Sequence, residues 1–137
     1  MNLYDQDFYQ WTHEQAGHLK AGALSQLDVT NLIEEIESMG RSEKRELVNR
    51  LAVLISHLLK WDYQPERQSR SWELTIKEQR LKLGDHFQDN PSLKAVFDAA
   101  ALSAYRLAKV RAMRETGLPE SVLPDTCPYN TQQIMGE

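Results

Sequence analysis

Apolar residues along this 137-residue chain recur at intervals of three and four, never in strict alternation. That is the period of the α-helix, so an all-α chain without strands is expected. A first helix should begin near Asp5 or Asp7, with the acid at its positive end, and bury Phe8, Trp11, Gln15 and Leu19 as one stripe until Gly22 stops it. Asp28 is expected to cap a second helix, in which Val29, Leu32, Ile33, Ile36 and Met39 share about 120° of arc. Gly40 would close it in the left-handed conformation.

Ser42 then looks like the cap of a third helix running to about Trp61, the most apolar of the chain. Its wide face of Leu47, Val48, Leu51, Leu54, Ile55, Leu58 and Leu59 suits the centre of a bundle. Pro65 ends that run in a polar loop. A fourth helix fits Trp72 to about Gln88, and Asn90-Pro91 starts a fifth that Thr-Gly-Leu-Pro ends after Glu115. Alanines at 95, 99, 100, 101, 104, 108 and 112 give that fifth helix little bulk, so a neighbour can approach closely. The prolines at 119, 124 and 128 predict a C-terminal tail of loop and short turns. The expected fold is a single helical domain over residues 1–137, a bundle of about five main helices with a proline-rich tail.

Composition agrees with a globular protein: 41% of residues are hydrophobic and 26% charged. The lone Cys127 excludes an internal disulfide. The first residues, MNLYDQDFYQW, are acidic where a signal peptide would be basic, and the longest apolar run, Leu51 to Leu59, is broken by Ser56 and His57. A cytoplasmic protein with no membrane partner is expected. The net charge of −4 is uneven, with one base against seven acids in residues 1–40 and ten against six in residues 41–82. Acidic and basic blocks of similar size are expected to pair across a helix interface.

Candidate chemistry is sparse. On the second helix Glu34 points away from the apolar arc while Glu35 and Glu37 border it, so the three carboxylates do not converge. Glu37, flanking the core beside Ile33, is expected to meet Arg41, Arg50 or Arg70 as a structural pair. The stretch resembles, together with YDQDFYQW, NLIEEIESMGRSE, HLLKW, YQP, RSW, QR, PSL, AY, ETGLP and CPYNTQQI, the bacterial domain of unknown function 29 family over essentially the whole chain. The resemblance implies an all-helical fold and brings no activity with it.

None of His13, His18, His57 or His86 has a glutamate three residues before it, as the helices of di-iron bundles require. His57 and Glu37 alone supply two ligands, too few for a site, so neither metal nor cofactor is expected. Cys127 has no histidine near it in sequence, and the chain has no glycine-rich phosphate loop. Arg67, Arg70, Lys77, Arg80 and Lys82 surround Trp72, but glutamates are interleaved with them, so nucleic acid is not an expected partner. On the fourth helix Trp72, Ile76, Gln79, Leu83 and Phe87 share one arc, and Leu74 and Leu81 stand opposite it and are expected to be covered by the tail, a second copy or another protein. The preferred reading is a protein-interaction or accessory module, with a protein partner or a homodimer. The alternative is a hydrolase or nuclease-like enzyme using Glu37 and His57, with or without a metal, and with Arg70 contacting phosphate.

Overall fold

The computed structural model describes residues 2–137, and every regular element among them is helical. In chain order these are α1 (Leu3–Gln6), α2 (Phe8–Lys20), α3 (Val29–Tyr63), α4 (Arg70–Asp89), α5 (Phe97–Thr116) and α6 (Thr131–Met135), joined by short 3-10 turns. The chain forms two compact units, one ending at Ser42 and the other Glu43–Glu137. No described helix is long and apolar enough to cross a membrane.

The first unit is organised by Asp28. Its carboxylate accepts from the Asn31 backbone N–H at 3.4 Å and side-chain amide at 2.8 Å, which caps α3, and from the Trp11 indole N–H at 2.9 Å. Its own N–H donates to Gln15 Oε1 at 2.8 Å. Tyr4 sets its ring edge-on to Trp11, 4.8 Å between centroids, and donates its hydroxyl to Glu35. Those bonds all fall on the side of α3 that carries Asp28, Asn31 and Glu35, about a quarter turn from the apolar arc. Trp11 and Gln15 are therefore buried as expected, whereas Phe8 and Leu19 are exposed. Of the expected second-helix stripe Leu32 is half-buried and Val29, Ile33, Ile36 and Met39 are exposed, because directional hydrogen bonds and not apolar burial choose the inward face there.

Two expected helices are one. α3 runs unbroken from Val29 to Tyr63 through Gly40 and Ser42, and Gly40 is not among the glycines of positive φ. Arg41 pairs back to Glu34 at 2.9 Å and Glu37 at 3.8 Å, so ion pairs bridge the glycine along the helix.

In the second unit the expected apolar face is realised. Leu47, Leu51, Leu54, Ile55 and Leu59 are fully buried and meet Leu83 and Phe87 of α4 and Phe97 of α5. Ala100, Ala104, Ala108 and Ala112, spaced by four, are also buried and let α5 lie close to its neighbours. Helix α4 starts at Arg70, two residues earlier than expected, because the Ser69 hydroxyl accepts the Trp72 N–H at 3.2 Å. Pro91 opens a 3-10 turn, Pro91–Val96, before α5 proper begins at Phe97. Gly117, at φ 77°, closes α5 with its N–H on the Met113 carbonyl.

The C-terminal segment is not a tail. Leu123 and Ile134 are buried in the core, Tyr105 donates its hydroxyl to the Pro124 carbonyl, and Tyr129 donates to Asp62 at 2.6 Å. A capping box of Asn130 and Gln133 starts α6, and the Arg80 guanidinium donates to the carbonyls of Ile134 (2.9 Å) and Gln133 (3.0 Å). Ile134→Ala is therefore expected to lower unfolding free energy by about 2–5 kcal/mol in urea denaturation. A change near zero would show that this segment is dispensable to the core.

Candidate functional site

The sequence candidates separate into different surroundings. Glu37, with a side chain 62% exposed, meets Arg41 as expected, but as a solvated pair and not a buried one. His57 belongs to the second unit, where its Nδ1–H donates to the Val53 carbonyl at 2.8 Å. Glu37 and His57 thus belong to different units, each with its own partners. Arg70 is exposed on the first turn of α4.

The Lys60 ammonium, almost wholly buried, lies 5.5 Å from the centre of the Trp72 ring and forms an ion pair with Glu115. His57 stands beside this pair, and burial pushes its imidazole below the ordinary value, more strongly than its backbone hydrogen bond to Val53 pushes it up. Lys60, Trp72 and Glu115 join α3, α4 and α5 through polar contacts at the edge of the core.

Leu74 and Leu81 are both exposed, so the C-terminal segment does not cover them. Leu81 instead borders a groove of about 670 Å³ whose apolar lining includes Leu58, Trp61, Ile76 and Met135.

Helices α3 and α4 also enclose a polar pocket of about 460 Å³ that contains Glu43, Glu46 and His86. Glu43 and Glu46, three apart, project from one face of α3. His86 comes from the last turn of α4 and donates its Nε2–H to the Glu43 backbone carbonyl at 3.0 Å. Its Nδ1 consequently faces the carboxylates, 3.6 Å from Glu43 and 3.5 Å from Glu46. Arg50 grips the other oxygen of Glu46 with two N–H groups, at 3.1 and 2.7 Å, which holds that carboxyl below its usual range. The i, i+3 glutamates are visible in the sequence. His86 is not connectable to them there, because about forty residues and a loop intervene.

The chain belongs to the family described as Domain of unknown function DUF29, whose model matches residues 3–137. Neither the curated proteins nor the solved structures contain a match.

Two outcomes follow from these placements. Glu37→Gln should change stability by about 0.5 kcal/mol or less, as for other exposed pairs, measured by chemical denaturation; a loss of several kcal/mol would mean that Glu37 is buried in the working protein. For His57, a lowered folded pKa means that below its ordinary value of 6.5 the unfolded chain binds more protons than the folded one. Stability should then fall as pH drops through that value, and His57→Gln should flatten the slope between about pH 7 and 5.5. An equal slope in both proteins would remove His57 as its source.

Proposed function

We propose that this protein is a protein-interaction module that acts as a homodimer, assembled through the exposed apolar stripe at the start of α3. The carrying observation is that Val29, Ile33, Ile36 and Met39, on one line of a long helix, are each between 51% and 66% exposed. Large apolar side chains grouped this way mark contact surfaces, whereas scattered single ones do not. Their spacing of four, three and three keeps them on one face of the helix, where a second helix can lie against them.

Charge selects the occupant. Along this part of α3 the acids Glu34 and Glu37 come first and the base Arg41 follows. A parallel copy would set acid beside acid. An antiparallel copy, related by a two-fold axis, lays the two stripes together without setting Glu37 of one chain beside Glu37 of the other. The stripe carries this reading ahead of Leu74 and Leu81, which offer two side chains where the stripe offers four.

Light scattering on the purified full chain should return twice the chain mass. Ile36→Lys, on the exposed surface, should leave the melting temperature nearly unchanged and return a single chain mass, while Leu81→Lys should leave the dimer intact. A monomeric wild type at high micromolar concentration overturns the homodimer, and a dimer dissolved by Leu81→Lys but not by Ile36→Lys moves the surface to α4.

A further inference from the structure

We propose that Glu43, Glu46 and His86 form a binding site for a zinc-like first-row divalent metal ion, independently of any self-association. The three side chains each offer one ligand atom, and those atoms all lie within 4.8 Å of one another. Imidazole nitrogen and carboxylate oxygen are both ligands that zinc and its neighbours accept.

The histidine gives the site its direction. His86 is only 7% exposed. A backbone carbonyl can only accept, so the 3.0 Å contact from Nε2 to the Glu43 carbonyl places a proton on Nε2 and turns Nδ1 towards the two glutamates. Nδ1 has no hydrogen bond: its neighbours at 3.5 and 3.6 Å are carboxylate oxygens, well beyond the roughly 2.7–2.9 Å of a charge-assisted bond. A buried nitrogen aimed at two anionic oxygens and bonded to neither is poorly explained by packing alone. The spacing does match ligands around one ion, because metal bonds of about 2.0–2.2 Å at tetrahedral angles separate their donor atoms by about 3.4 Å.

The surroundings supply what such a site needs. A histidine ligand commonly donates its other ring N–H to a backbone carbonyl, which fixes tautomer and ring orientation, and His86 does this already. Arg50 is a positioning residue: by occupying Oε1 of Glu46 it leaves Oε2 facing His86. The glutamates, with side chains 48% and 40% exposed, have the freedom to close the remaining gap around an ion. The four acids of the pocket, Glu43, Glu46, Asp85 and Asp89, outnumber its two bases, Arg50 and Lys82, by the charge of a divalent ion. With three protein ligands, a further coordination position stays open to water or a small anion from the pocket, as in zinc sites that keep an exchangeable position.

The test is isothermal titration of zinc chloride into tag-free, metal-stripped full-length protein at neutral pH. Wild type should bind one ion per chain and melt at a higher temperature with zinc than without. His86→Ala should abolish both effects. Because His86 is buried and its loss could unfold the chain, Glu43→Gln with Glu46→Gln is the second variant: it should fold with the wild-type circular dichroism spectrum and bind zinc at least about ten-fold more weakly. His57→Ala should bind as wild type does. Absence of zinc binding by wild type, or equal binding by the double glutamine variant, overturns the site.

Discussion

A helix end has a polarity, and α3 passes through Gly40 because stopping there would set charges against that polarity. A helix ending at Met39 would place Glu37 in its last turn, at the negative end of the macrodipole. A helix restarting after Ser42 would place Lys44 and Arg45 in its first turn, at the positive end, with Glu43 offsetting only one of them, and Arg45 would stand where a capping box needs glutamate or glutamine. Breaking the helix would also orphan carbonyls on one side and amides on the other. Against those penalties, a glycine inside a helix costs about 1 kcal/mol relative to alanine, and the Arg41 pairs to Glu34 and Glu37 offset part of it. The unbroken α3 then supplies the apolar stripe, the Glu43–Glu46 face, the core leucines and Lys60 from one continuous helix.

The buried Lys60 explains why the polar contacts of the second unit behave as a group. A buried ammonium without partners would be strongly disfavoured, and this one has an ion pair to Glu115 and the Trp72 ring as a cover. Once that arrangement is set, the relative registers of α3, α4 and α5 are constrained, since each contributes one member. Apolar packing between leucines and alanines tolerates small shifts; a buried charge with one suitable acid does not. The same crowding desolvates His57, and the nearby ammonium further disfavours its charged form.

How much of this is legible in the sequence depends on whether a feature is local. Helical period, the Asp28 cap, the stop at Gly22, the Gly117 closure and the leucine face of α3 are local, and each is where the pattern puts it. Gly40 misleads because glycine is equally at home inside a tolerant helix and at a left-handed end, and only the charges on either side decide between them. The prolines at 119, 124 and 128 suggest a tail although Leu123 and Ile134 lie close to them in the chain, and spacing alone does not tell whether such side chains find a core. The Trp72–Lys60–Glu115 and Glu43–Glu46–His86 groups draw on separate helices, so the sequence shows their members without showing their company.

The first unit shows why apolar patterning can misidentify an inward face. Burying four aliphatic side chains is worth several kcal/mol in principle, at about 25 cal/mol per Å² of apolar surface. Yet Asp28, Asn31, Gln15, Trp11 and Tyr4 form hydrogen bonds whose geometry is met from only one side of α3, and leaving those groups half-satisfied in a partly buried contact would cost about 1–3 kcal/mol apiece. Because α1 and α2 are short, they can cover one face and no more. The hydrogen-bonded face fixes where they lie, and the apolar face is left exposed. A stripe that local folding cannot reach, on a helix whose inward face is already committed, is the ground on which the homodimer is proposed.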